Sequence, residues 1–149
     1  VSGGGSYNTR VAGIIAFLDN NSELTITDCF NKGVIEGSGA HYTYLGGILG
    51  ENEGKTTISF CYNLATIQRT PGKTGSYGFV GGLFSRIYNN SLIEFSYNEG
   101  NLTSTWSSGS NYIGGIGGHV GSSTNIKNCI GKSSPDMPNF TTRPSSNFS

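Results

Sequence analysis

The sequence predicts an all-β fold, a short β-solenoid of about four coils built on a repeat of about 34 residues. One observation is a row of glycines spaced 34, 35 and 33 positions apart, each preceded by a small residue and followed by a branched aliphatic one. Another is a row of thiol or hydroxyl residues spaced 32, 35 and 33 apart, each with an isoleucine three places upstream. Such a period is typical of stacked repeat units. The rows are Gly13, Gly47, Gly82 and Gly115, and Cys29, Cys61, Ser96 and Cys129.

The composition limits the classes of partner. Of 149 residues, 24 are glycine and 12% are charged, with nine acidic and nine basic residues in balance. Such a surface offers no net attraction to nucleic acid or to an anionic membrane, and no apolar run is long enough to cross a bilayer. We therefore expect neither a nucleic-acid partner nor membrane insertion, and no motif indicates a cofactor.

The chain starts at Val1 without a methionine or a secretory leader, which indicates either a processed mature protein or an excised fragment of a longer one, and the first interpretation is favoured. Low charge with many Ser, Thr, Asn and Tyr residues favours an extracellular or cell-surface location. Five Asn-X-Ser/Thr sequons permit glycosylation, at Asn20, Asn89, Asn101, Asn139 and Asn147.

We divide the chain into an N-terminal extension at 1–9, a four-coil β-solenoid at 10–134 and a proline-containing C-terminal arm at 135–149. Each coil is expected to hold three short strands. The first surrounds the pair of small residues, the second is rich in β-branched and aromatic residues, and the third begins four places after an aligned asparagine. The arm carries three prolines and no apolar alternation, so we expect it to be extended.

In the second strand of each coil the isoleucine and the cysteine or serine are three residues apart. Residues three apart in a regular strand face opposite sides, so both can face the core only if the strand bends between them. Either the cysteine row faces outward, or the chain bends between Ile26 and Cys29; the bend is favoured because thiols are among the most buried side chains. Stacked coils then form ladders. We expect them inside the coil at Ile26, Ile58, Ile93 and Ile126 and at Ile14, Ile48, Leu83 and Ile116, and at a turn at Asn31, Asn63 and Asn98.

The three cysteines fall one per coil, with no Cys-X-X-Cys pair and no histidine cluster. Zinc needs four convergent donors at short spacing, so we expect no metal site and interpret Cys29, Cys61 and Cys129 as buried thiols. A disulfide between Cys29 and Cys61 is the alternative, because the ~4.8 Å between stacked strands lies within disulfide reach.

A family resemblance rests on residues 46–54, which read Gly-Gly-Ile-Leu-Gly-Glu-Asn-Glu-Gly, and on 58–63, which read Ile-Ser-Phe-Cys-Tyr-Asn. The phrase resembles the GLUG repeat (Gly-Leu-hydrophobic-Gly) of secreted and surface-attached proteins, including bacterial adhesins and non-catalytic regions of some surface peptidases. The fourth unit keeps the pattern at 115–118, whereas the first has Ala12 and Ala16 in place of glycines and the third departs at 84–85. The resemblance implies a scaffold, stalk or adhesive surface and supplies no catalytic residues.

Aromatic residues open three of the coils, at Tyr44, Phe79 and Tyr112. Such a row is either a strip that binds sugar or protein or a ladder that stabilises the stack, and the ladder is favoured. Tyr77 and Trp106 lie in the variable stretches between coils, where insertions form loops on one face of a solenoid. These five residues are the candidate contacts to a glycan or a cell-surface protein.

No catalytic pattern is evident. His41 and His119 have no serine, cysteine or acid neighbour in a nucleophile arrangement, so we expect them at turns or facing solvent. Glu51, Glu53, Asp28 and Glu94 do not align into an acidic column across the repeats, which disfavours a polysaccharide-degrading enzyme.

The sequence therefore predicts a non-enzymatic structural protein. No amphipathic helix is available to cap either end of the stack, and open sheet edges recruit further strands. We expect a homo-oligomer assembled head to tail into a surface filament or matrix. The alternative is an adhesin module that binds a glycan or a host protein through its loops, and a polysaccharide-degrading solenoid is a third hypothesis.

Overall fold

A computed structural model describes residues 1–5, 7–39, 41–70, 77–105 and 110–132. All regular structure in these residues is β, with no helix, and parallel strands about 34 residues apart stack into a β-solenoid. The predicted fold class is confirmed. Trp106, Asn139, Asn147 and the arm at 135–149 lie outside the described residues.

Each turn of the solenoid passes through four parallel sheets, numbered in the order in which the chain meets them. Sheet one contains β1 (Ser2–Gly5), β6 (Ile35–Gly39), β10 (Ile67–Arg69) and β14 (Leu102–Ser104). Sheet two contains β2 (Asn8–Ala12), β7 (Tyr42–Gly46), β11 (Tyr77–Gly81) and β15 (Asn111–Gly114). Sheet three contains β3 (Ile15–Leu18), β4 (Glu23–Thr27), β8 (Leu49–Ser59), β12 (Phe84–Glu94), β16 (Gly117–Val120) and β17 (Asn125–Lys127). Sheet four contains β5 (Phe30–Asn31), β9 (Tyr62–Asn63), β13 (Tyr97–Asn98) and β18 (Ile130–Gly131).

The coil differs from the prediction in its strand count and slightly in its number of turns. A coil has strands in four sheets rather than three, because the predicted second strand is broken at a bend. The predicted first strand is wrong as well: it is broken at the pair of small residues, as between β7 and β8, and its second part joins sheet three. The solenoid completes about three turns rather than four, since the described residues add no strand to sheet one after β14. Within the segment predicted as an extension, Ser2–Gly5 forms β1 and pairs with β6.

The bend predicted between the isoleucine and cysteine rows is confirmed. It lies at one residue per coil whose backbone is left-handed: Asp28 (φ 53°), Phe60 (53°), Phe95 (47°) and Asn128 (49°). A left-handed residue reverses the alternation of side chains, so the isoleucine two places before it and the cysteine or serine one place after it both face inward. Each bend separates sheet three from sheet four.

The core consists of two clusters of buried aliphatic side chains. One lies between sheets one and two and contains Val11, Ile35, Leu45, Ile67, Val80 and Leu102. The other lies against sheet three and contains Ile26, Ile48, Leu49, Ile58, Cys61, Leu83, Phe84, Ile87 and Ile93. In the second cluster Ile26, Ile58 and Ile93 pair in register, as predicted for an internal ladder.

Candidate functional surfaces

The asparagine row forms a hydrogen-bonded ladder at the turn between sheets four and one. Asn31 Nδ2 donates to Asn63 Oδ1 (2.9 Å), and Asn63 Nδ2 donates to Asn98 Oδ1 (2.8 Å). Each amide also bonds the backbone two residues on, as when Asn63 Oδ1 accepts from Ala65 N–H (3.3 Å) and Nδ2 donates to the Ala65 carbonyl (3.1 Å). The side chain thus replaces a backbone turn and links neighbouring coils.

The glycine row packs against this ladder. A Cβ on Gly47 would overlap the Gly82 carbonyl oxygen and lie 2.6 Å from Asn63 Cγ. Gly13 and Gly82 stand in the same relation to Asn31 and Asn98. The row is therefore glycine because no side chain fits between the turn amide and the next coil.

The cysteine row faces the core, and all three thiols are free, so the alternative of a Cys29–Cys61 disulfide is wrong. Cys61 is buried as expected, whereas Cys29 and Cys129, in the end coils, are only half-buried. Cys61 Sγ lies 3.2 Å from the Ser59 carbonyl, and Cys129 Sγ lies 3.2 Å from the Lys127 carbonyl. Ser96 Oγ donates to the Glu94 carbonyl (2.8 Å) from the equivalent position, which explains why a serine can take the place of a cysteine in this row. Burial raises the pKa of the Cys61 and Cys129 thiols.

The aromatic row is a stack whose two inner rings are buried. Tyr44 and Phe79 have centroids 5.2 Å apart at an interplanar angle of 8°, and Phe79 and Tyr112 are 4.9 Å apart at 5°. Phe79 has Tyr44 on one face and Tyr112 on the other. Tyr44 has Phe79 on one face and the Arg10 guanidinium 5.6 Å from its centroid, so neither buried ring is available to stack on a sugar. This geometry favours a stabilising role for Tyr44 and Phe79.

A charged crease lies beside the aromatic row, between sheets two and three. The buried Glu51 carboxylate accepts from Arg10 Nε, and Arg86 Nη1 lies 3.8 Å from its other oxygen. Arg86 Nη1 also donates to Tyr44 Oη (3.2 Å), and its guanidinium lies 4.0 Å from the Tyr88 ring centroid. Burial, and after it the Glu51 charge, raises the pKa of Tyr44 to about 12.

Two further aromatic stacks are exposed and were not predicted as sites. One joins Phe30, Tyr62 and Tyr97 on sheet four, with centroids 5.2 and 5.0 Å apart. The other joins Phe60 and Phe95 at the bend (5.3 Å). The signal was present in the sequence, because an aromatic residue follows the Cys or Ser of each of the first three units.

The expectation of a loop is wrong for Tyr77, which begins β11, and the expectation of a turn or a solvent-facing position is wrong for His119, which lies in β16. Tyr77 is exposed and stacks on Tyr42 (5.2 Å, 18°). His41 is exposed and stacks on Tyr7, whereas His119 is half-buried and meets the edges or faces of Phe79, Tyr88 and Tyr112. The sequon residues that the structure describes, Asn20, Asn89 and Asn101, are exposed.

The acidic residues do not converge on a metal site. Glu51 is paired with arginines, and across the described ranges no group of three His, Cys, Asp or Glu side chains is arranged to hold a metal ion. Nor does any helix long and apolar enough to cross a bilayer occur in the part of the chain that the structure describes.

Both ends of the solenoid expose the core and leave strand edges open. Ile48 and Leu83, in the middle of one predicted ladder, are fully buried, whereas Ile14 at its N-terminal end is 45% exposed. At the other end Ile116 of the same row is only partly buried. Among the described residues β2 pairs only with β7, and β15 pairs only with β11. Each terminal strand therefore has one edge without a neighbouring strand in this part of the chain.

Comparison of the chain with protein-family models, with curated proteins and with solved structures found no match. The resemblance to the GLUG repeat stays a prediction from residues 46–63.

Proposed function

We propose that this protein is a non-enzymatic extracellular structural subunit that associates end to end into a surface filament or matrix. The observation that carries the proposal is the contrast between Ile48 and Leu83, which are fully buried, and their row-mate Ile14, which is 45% exposed at the end of the solenoid. A second copy stacked on that end would bury it as the inner coils bury theirs.

Backbone hydrogen bonds between the end strands of two copies would add to the burial of apolar side chains. An open edge presents N–H and C=O groups in the spacing that a further strand needs, and a head-to-tail contact between unlike ends does not close. Repetition of such a contact gives a filament whose coils continue from one copy into the next.

The test is the size of the assembled protein as its concentration rises, measured by sedimentation velocity and negative-stain microscopy. We expect species that lengthen with concentration, and Ile130→Ser should shift this growth at least tenfold higher in concentration because Ile130 lies at an end. Leu64→Ser is the matched control, since Leu64 is an exposed aliphatic residue on an inner coil. A monomer at all concentrations would contradict the proposal.

A second candidate function is adhesion, which the exposed Tyr42–Tyr77 stack favours. The outer faces of this pair and the adjoining loop would hold a glycan or a cell-surface protein. Glycan-array binding that is lost in Tyr77→Ala but kept in Phe95→Ala, an exposed ring on another face, would support it. Equal binding by the two variants would remove it.

A further inference from the structure

We infer that the two ends of the solenoid fit each other in one register, with β1 of one copy pairing beside β14 of the preceding copy. The inference rests on the proposed end-to-end association and specifies its interface. It assigns a partner, a second copy of this chain, to the edge of β14 that has no neighbouring strand among the described residues.

Strand β1 occupies the place of a coil that precedes the first one. Ser2 pairs with Glu36, which pairs with Gln68, and Gln68 pairs with Thr103 in β14. One residue earlier, Val1 is in line with Ile35, Ile67 and Leu102, the sheet-one row of the core. The other three are buried, whereas Val1 is 70% exposed. Val1 therefore extends this row but has a neighbour on one side only.

The opposite end has the complementary arrangement. After β14 the described residues continue through sheets two, three and four with β15 to β18 but add no strand to sheet one. Counted along the sequence from Gly131, which pairs with Asn98, the position equivalent to Leu102 is 135, and the sequence has a proline there in place of a branched aliphatic residue. Val1 of a second copy supplies the aliphatic side chain that this position has in the other coils.

The hydrogen-bond pattern shows which groups β14 offers. Thr105 N–H donates to the Arg69 carbonyl (3.1 Å), on the side of β10. Alternate residues of a parallel strand bond to opposite sides, so the N–H and C=O groups of Leu102 and Ser104 face the open edge. In the joined register the Ser104 N–H donates to the Ser2 carbonyl of the next copy.

The same register joins β15 to β18 of one copy with β2 to β5 of the next. Tyr112 of one copy then lies over Arg10 of the next, whose guanidinium is 5.6 Å from the Tyr44 centroid within its own chain. Ile130 of the first copy likewise lies over Phe30 of the next. Charge also favours the contact. Residues 112–132 contain two lysines and no acid, whereas 10–43 contain four acids and two basic residues, a net charge of −2.

The distance between Cys129 of one copy and Cys29 of the next reports this register. Cys129 of one copy would stack on Cys29 of the next, one strand spacing away. Within a single chain these two residues are three coils apart, roughly 14 Å, beyond the reach of a short linker.

The experiment uses the full chain with Cys61→Ser, which leaves one thiol near each end, and dibromobimane, a short reagent that links two thiols and fluoresces when both arms have reacted. At a concentration that gives assembly we expect fluorescent covalent multimers on denaturing gels. Either further substitution, Cys29→Ser or Cys129→Ser, should abolish at least nine-tenths of them. Multimers that persist in one of these variants would show like ends in contact and overturn the register.

The strand joint is tested separately with Ser104→Pro, which removes the outward N–H, and Ser104→Ala, which keeps it; circular dichroism checks that both fold. We expect at least a tenfold loss of association for the proline variant only. If the segment after Lys132 of the same chain fills the place beside β14, both variants associate alike and the inference fails. Assembly without the Cys29–Cys129 link overturns the register alone, whereas no assembly of the unaltered protein overturns the proposed function.

Discussion

Asn63 is the central, fully buried member of the asparagine row, and its side chain makes four hydrogen bonds, whereas Asn31 and Asn98 make three each. Replacing it by alanine leaves the Ala65 backbone groups without the partners they have now. We expect Asn63→Ala to lower the free energy of unfolding by about 2 to 3 kcal/mol, measured by urea denaturation. Asn31→Ala, at the end of the row, should cost less, and equal costs would argue against cooperation along the ladder.

Tyr44 makes stability depend on alkaline pH. Its pKa is raised from 10.0 to about 12, mainly by burial, so the folded state holds the phenolic proton that the unfolded state has lost. The stabilisation is fully present below pH 10 and is lost as pH rises through the folded pKa. Between the two values the loss amounts to roughly 2 to 3 kcal/mol.

We therefore expect Tyr44→Phe to reduce the fall in stability between pH 10 and 12, measured by urea denaturation at several pH values. Phenylalanine fits the position, because Phe79 holds it in the next coil. Below pH 9 the variant loses only the hydrogen bond from Arg86. Parallel pH profiles for the two proteins would show that Tyr44 does not carry the effect.

At the scale of the element, each coil depends on two corners that differ in kind. The bend at Phe60 and its equivalents depends on backbone conformation, since these residues are left-handed without being glycine. The corner at Gly47 depends on space, since a Cβ there meets the next coil and the turn amide.

A substitution at the Gly47 corner should show whether glycine is needed there because a Cβ has no room or because the backbone must be flexible. We expect Gly47→Ala to destabilise the protein by about 3 kcal/mol or more, because backbone has to move to admit a methyl group. Gly33→Ala is the matched control: its Cβ would lie 3.7 Å from Asn31 Oδ1, an ordinary contact. Thermal and urea unfolding of both variants make the comparison, and a tolerated Gly47→Ala would refute the packing argument.

For the whole molecule, the repeat period was sufficient to predict the solenoid, its ladders and the inward cysteines. The spacing predicted the bend before each cysteine, but it could not give the strand count, because the sheet-four strands beyond the bend are only two residues long. The charged crease between sheets two and three was not predicted, for a different reason. Arg10, Glu51 and Arg86 come from three different coils, and only the stacking brings them together.

The position of Arg69 shows the limit of reasoning from loop length. It borders a stretch where the repeats vary in length, a place where surface loops are expected, yet it is fully buried in β10. Its guanidinium donates to Asn111 Oδ1 (3.0 Å), and burial lowers its pKa. The stretch that varies in length thus begins only after this residue.

The turn amides also make the stack directional. From Asn31 to Asn63 to Asn98 each amide donates towards the later coil, so their dipoles point the same way and reinforce one another. The amide ladder therefore gives the solenoid axis a net dipole direction. Two copies joined through like ends would cancel these dipoles, whereas copies joined head to tail would add them.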